Sequence, residues 1–217
     1  MSWAWYLGDL ADHVARALAE LEAGLALAQA PHGLDAWDER ALQQALAAAL
    51  ARDHEVAREV HYPASVGKKL SHRARCDLVL SPAGEPLSRG EPLPGLCPPD
   101  AALWLELKVA RQWRPGGVRD GRYGAQWRRN LVADLQKMAA EPNIHDAALV
   151  LVVFTEDEAT LRRDLDGFEA VLVRSDVIAG FRQARTVAIS DRLGHRVAGV
   201  ALWPTVQGAG AAAQPAT

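Results

Sequence analysis

The chain has little cysteine, no long apolar run and no phosphate-binding loop motif, and each lack closes a class of function. Two cysteines among 217 residues, Cys76 and Cys97, cannot build a disulfide framework. They are expected to be free thiols in a reducing cytoplasm. No apolar stretch reaches the roughly 18–20 residues of a membrane span. The opening "MSWAWYLGDLADHV" has no basic n-region and too short an apolar core for a secretory signal. No membrane partner is therefore expected. "SVGKK" lacks the preceding glycine of a P-loop, and no nucleophile elbow is present. Cys76, Cys97, His61 and His72 match no compact zinc-finger spacing. No internal repeat is visible.

What is there is the composition of an ordinary globular protein, long enough to bury a real core in one large domain. A net charge of −3 argues against a protein that coats nucleic acid indiscriminately. The distribution of charge is more informative: residues 1–60 carry a net −6, residues 61–130 a net +6 and residues 131–217 a net −3. A basic segment of this kind is expected where a polyanion binds at one place, unless it is simply a solvated surface.

Apolar spacing predicts a first helix from about Asp9 to Gln29, ended by Pro31 and Gly33. A second follows in "LDAWDERALQQALAAALARD", with Asp35 as N-cap and Leu42, Leu46 and Leu50 as its buried stripe. "HEVAREVHYPA" and "ARCDLVLSP" read as strands, and the Pro-rich residues 82–99 as an irregular loop. "DAALWLELKVARQW" is a third strand: Leu103, Leu105, Leu107 and Val109 alternate with Trp104, Glu106 and Lys108. Residues 111–124 read as an Arg/Gly loop, "QWRRNLVADLQKMAAE" as a helix and "HDAALVLVVFTED" as a buried central strand. A helix around 157–165, a mixed segment 168–183 and two strands, "ARTVAISD" and "HRVAGVALWP", complete the order. The expected organisation is an N-terminal helical extension over 1–34, an α/β domain with a mixed sheet over 35–206, and a disordered tail over 207–217.

Charged groups in the third strand need a reason, because burying them without partners is costly. Asp77 lies in the preceding strand, and adjacent strands sit about 4.8 Å apart. A carboxylate from each, Asp77 and Glu106, could share one divalent ion, and this hard oxygen set suits Mg²⁺. Lys108 projects on the same face as Glu106, about 6.6–7 Å along the strand. It could orient a water and offset charge on a reacting phosphate. The competing account is a buried ion pair among the same residues.

Asp77 in "RCDLVL" and Glu106-Leu107-Lys108 in "LWLELKVA", with the order helix, three meandering strands, crossing helix and strand over residues 35–154, resemble the PD-(D/E)XK nuclease superfamily. Cys76 stands where the family's name has proline. The resemblance implies a restriction-endonuclease-like fold with a mixed central sheet flanked by helices. It implies that Asp77, Glu106 and the Leu107 carbonyl ligate Mg²⁺, with Mn²⁺ as a substitute, and that Lys108 positions the attacking water. The implied activity is hydrolysis of DNA, with RNA the less favoured substrate, leaving a 5′-phosphate, in bacterial defence or DNA repair and processing. Cutting both strands would need two sites, so a homodimer or larger complex is expected. The alternative is an inactive nuclease-like module that binds nucleic acid or a protein partner; an unrelated small-molecule enzyme is a third reading.

Glu39, in the first turn of the second helix, is a further candidate metal ligand, although an acid there also suits the helix dipole. Glu59, Asp134 and Lys137 are candidate supporting residues. Nucleic acid is expected to lie along Lys68, Lys69, Arg73 and Arg75 before Asp77, and along Arg111, Arg114, Arg119, Arg122, Arg128 and Arg129 after the site. Trp113, Tyr123 and Trp127 could stack on bases there or pack into the core.

Overall fold

The computed structural model describes residues 4–65, 74–88, 93–114, 118–119, 121 and 123–206. Residues 207–217, read as a tail, and the basic candidates Lys68, Lys69, Arg73 and Arg122 lie outside them. Among the described residues no helix is long and apolar enough to cross a membrane.

The chain runs α1 (Leu7–Leu27), a 3-10 turn (Leu34–Ala36), α2 (Glu39–Leu50), β1 (His54–His61), β2 (Arg75–Pro82) and β3 (Leu103–Arg111). It continues with β4 (Trp113–Arg114), β5 (Val118–Arg119), α3 (Tyr123–Ala139), β6 (Asp146–Thr155), α4 (Glu158–Arg174), β7 (Gln183–Ala188) and β8 (Val197–Pro204). Six strands form one mixed sheet in the order β1-β2-β3-β6-β8-β7. Only β3 and β6 run parallel, joined by the α3 crossover; the other neighbours are antiparallel.

Each face of the sheet carries its own core. Leu10, Val14 and Leu18 of α1 and Leu42, Leu46 and Leu50 of α2 meet Leu78, Leu80, Leu103, Leu105 and Leu107 on one face. Leu131, Leu135 and Met138 of α3 and Leu161, Leu165, Phe168 and Leu172 of α4 meet Val79, Trp104, Leu149, Leu151 and Trp203 on the other. The result is a three-layer α/β/α arrangement, in which α1 is part of the first core and β7 and β8 extend the main sheet.

Three predicted elements change. Asp38, not Asp35, caps α2, its carboxylate accepting from the Ala41 N–H at 2.7 Å. The 111–124 loop is in part the β4–β5 hairpin, and α3 already begins at Tyr123. Helix α4 runs through Arg174, well past 165. Gly167 lies within it at a packing site, since the Arg128 guanidinium would lie 3.1 Å from a Cβ there.

Asp35, released from capping, is fully buried and faces His195, equally buried, at 2.9 Å. The Trp113 N–H donates to His195 Nε2 at 3.1 Å, so the ring proton sits on Nδ1 and is given to Asp35. Arg111 adds hydrogen bonds to the carbonyls of Asp35 (2.7 Å) and Trp37. Together these bolt the turn before α2 to the end of β3. Replacing His195 by Ala strands the Asp35 carboxylate and the Trp113 N–H in the core. The expected cost is about 3–5 kcal/mol, a fall of about 6–20 °C in Tm, readable by thermal melting.

Candidate functional site

The site lies where β2 and β3 part. Their ladder stops at Leu78–Leu105, while β3 goes on to pair with β6 through Arg111. The β2-side donors of β3 beyond that point are met by side chains. Leu107 N–H donates to Asp77 Oδ2 at 2.8 Å, and Val109 N–H to Glu39 Oε2 at 3.2 Å. The Asp77 carbonyl accepts from Gln43 Nε2 at 3.1 Å. Two predicted site acids thus do backbone work as well.

The strand alternation slips at the same level. Val60 pairs with Cys76 and Arg58 with Leu78, while the intervening Glu59 and Asp77 make no ladder pair. Glu59 adopts a left-handed φ of +52°, and Arg58 and Glu59 are exposed in succession. Cys76 and Val79, three residues apart, both enter the second core. The slip turns Asp77 toward Leu107.

Because the sheet opens here, side chains from both helical layers meet. Lys108 Nζ lies 3.5 Å from Glu39 (α2), 3.7 Å from Asp77, 3.9 Å from Glu106 and 3.7 Å from Asp134 (α3). It donates to the Leu107 carbonyl at 3.0 Å. Behind it, Glu106 is 2% exposed. Its Oε1 accepts from Tyr62 Oη at 2.7 Å and pairs with Lys137 at 2.6 Å, while Lys137 also reaches Asp134 at 3.1 Å. Tyr62 is stacked on Trp104 with centroids 5.5 Å apart, which fixes the hydroxyl.

Four carboxylates thus surround two ammonium groups. Burial pushes Glu106 up to about 7, against the bond and charge of Lys137 and the Tyr62 hydroxyl. Burial lowers Lys108, yet Glu39, Asp77, Asp134 and Glu106 outweigh it and hold its pKa above the usual lysine value. Burial likewise opposes Lys137, and Glu106 followed by Asp134 prevails. Burial first, then Cys76 and Glu106, raises Tyr62, so its hydroxyl keeps its proton and donates.

Among the described residues no three acidic, histidine or cysteine side chains form a ready metal cage. The acids close instead on the Lys108 ammonium. Their chemistry, carboxylates with the Leu107 carbonyl beside them, is nonetheless the hard oxygen set of a divalent cation that keeps several waters.

The structure thus brings together Asp77, Glu106, Leu107, Lys108 and Glu39, with Asp134 and Lys137 joining them. Tyr62 and Gln43 were missed, because nothing in a tyrosine before a proline or a glutamine on a helix marks a partner distant in sequence. The predicted basic bank divides. Arg75 and Arg129 are exposed. Arg114 and Arg119 lie on the hairpin, Arg119 over the Trp113 ring at 5.9 Å. Arg111 departs from expectation, its guanidinium turned inward onto Asp35 and Trp37. So does Arg128, placed over Trp127 at 5.2 Å and 3.6 Å from Asp164. Trp127 is buried against Phe168, so its ring serves the core.

No protein-family model, no curated protein and no solved structure matches the chain.

Asp77→Asn keeps an acceptor for the Leu107 N–H, whereas Asp77→Ala removes it with the same loss of charge. Denaturant melts are expected to place the alanine variant about 1–3 kcal/mol below the asparagine variant. Equal stability would remove the backbone role assigned to Asp77.

Proposed function

We propose that the chain is a Mg²⁺-dependent nuclease with a restriction-endonuclease-like core, acting on DNA in preference to RNA. The observation that carries this reading is the convergence of Asp77, Glu106, Lys108 and the Leu107 carbonyl where β2 and β3 part. Sequence spacing alone did not require these groups to meet.

In this reading Asp77, Glu106 and the Leu107 carbonyl hold the cation, and Glu39 borders it. Mg²⁺, when bound, supplies Lewis-acid polarisation of the phosphoryl oxygen. Without a metal, the surrounding carboxylates hold Lys108 as an ammonium, their attraction outweighing burial. Lys108 orients the attacking water and offsets negative charge at phosphorus. The water oxygen, losing its proton to solvent, forms a new bond to phosphorus as the P–O3′ bond breaks, and the leaving 3′-oxygen takes up a proton, giving a 3′-hydroxyl and a 5′-phosphate. Tyr62 and Lys137 are positioning residues: both occupy Oε1 of Glu106 and leave Oε2 toward the site. Bacterial defence or DNA repair, a cytoplasmic location and a homodimer or larger complex for double-strand cutting belong to the same proposal.

A second reading, a module that binds without cutting, is favoured by one feature: the Lys108 ammonium already occupies the space between the acids. Cleavage of duplex, nicked and single-stranded DNA and of RNA, with Mg²⁺ or Mn²⁺, separates the two. Asp77→Asn, Glu106→Gln and Lys108→Met are each expected to lower metal-dependent cutting at least about 10²-fold. Intact wild-type protein that cuts none of these substrates would leave the second reading.

Lys108→Met has a further expected outcome. With the competing ammonium gone, calorimetric titration without DNA should show Mn²⁺ bound at least as tightly as by the wild type, although cutting is lost. Weaker Mn²⁺ binding by the variant would mean that the acids do not form the cation site.

A further inference from the structure

Beside the acid cluster lies a cleft of about 440 Å³, lined by Glu39, Arg40, Gln43, Arg58, Glu59, Arg75, Asp77 and Leu107. We propose that this cleft seats a nucleic-acid backbone, with Arg40, Arg58 and Arg75 binding its phosphates. The proposal rests on the nuclease reading for its substrate class. It assigns Arg40 and Arg58 a role that neither their spacing nor their segment charge suggests.

The first support is the state of the three arginines. All are exposed, and among the described residues none of the three side chains makes a hydrogen bond or ion pair. Several arginines elsewhere are engaged, Arg52 with Glu20, Arg182 with Asp166, Arg185 with Asp12 and Arg192 with Glu22, whereas these three lie together at one cleft. Three unengaged guanidinium groups around one cleft make a built-in demand for an anion, and their fork geometry suits phosphate oxygens.

The second support is how the acids of the same cleft are used. Asp77 accepts from Leu107 N–H, Glu39 accepts from Val109 N–H, and both face Lys108. Glu59 is then the one cleft acid left facing the arginines, so the rim is net positive although the lining counts three residues of each sign.

The third is placement. Arg58 pairs with Leu78 and Arg75 with His61, three ladder positions apart, or about 10 Å along β1 and β2. Arg40 faces them from the first turn of α2. The group is a bank along a channel and not a single anion hole. The left-handed backbone at Glu59 breaks the alternation and leaves Arg58 exposed at the cleft. Left-handed backbone at a non-glycine residue is uncommon and concentrates at functional sites.

The test is anisotropy of a fluorescein-labelled DNA duplex in EDTA across a series of salt concentrations, with no metal so that nothing is cut. Arg40→Ala, Arg58→Ala and Arg75→Ala are each expected to weaken binding and to reduce the slope of log K against log salt by about one; the triple variant should lose about three. The triple lysine variant should keep most of the slope, and Arg162→Ala, on the exposed side of α4, should match the wild type. Thermal melts of all variants should coincide, since among the described residues these side chains bond to nothing. Wild-type-like binding by the triple alanine variant would overturn the proposal and leave the nuclease reading standing. So would displacement of the DNA by poly-glutamate at equal charge, which would assign the cleft to an acidic polypeptide. Arginine-dependent binding by a wild type that never cuts would uphold the cleft and sink the nuclease.

Discussion

The parting of β2 from β3 beyond Leu78 and Leu105 governs the rest of the site. A central strand that loses its neighbour exposes backbone N–H groups, and each left unbonded costs about 1–3 kcal/mol. Here the vacated positions are filled by carboxylates, Asp77 on Leu107 and Glu39 on Val109. The acids are therefore held by the main chain of the strand that carries Glu106 and Lys108. Their positions follow from sheet geometry and not from side-chain preference. The same opening lets α2, from one layer, and α3, from the other, bring Glu39 and Asp134 to one lysine.

Electrostatics then sets what the cluster can do. Four acids near two lysines give an excess of negative charge, and burial answers by raising Glu106 toward neutrality. Further positive charge is what the site can take, from a cation or from protons. The lysines differ in kind. Lys137 lies against Glu106 and Asp134 on its own side, behind the strand. Lys108 spreads its contacts over four acids at 3.5–3.9 Å, none of them a close pair. Its one close hydrogen bond is to a backbone oxygen, the Leu107 carbonyl at 3.0 Å, and not to any of the acids.

Much of the layout was legible because periodicity records which face is buried. The alternation of Leu103 to Val109 and the unbroken apolar run of β6 mark the two central strands, and Asp77, Glu106 and Lys108 lie together beside them. The misses share one cause, contacts between residues far apart in sequence. Asp35 resembles a helix cap until His195, 160 residues away, is seen to claim it. Nor does any pattern announce that alternation slips at Glu59 and Asp77, because both strands slip at the same level and their register is kept.

Linear charge is an incomplete map of the surface for the same reason. The segment 61–130, net +6, supplies Arg111 and Arg128, whose guanidinium groups are turned into the protein. The segment 1–60, net −6, supplies Arg40 and Arg58, which are exposed at the cleft beside Asp77. Acids in that first segment are consumed internally, Asp35 by His195, Glu22 by Arg192 and Asp12 by Arg185. What a distant polyanion meets is the charge left after such pairings. An arginine from an acidic stretch can therefore stand at the surface where one from a basic stretch does not, as Arg40 and Arg58 at the cleft beside Asp77 show against Arg111 and Arg128.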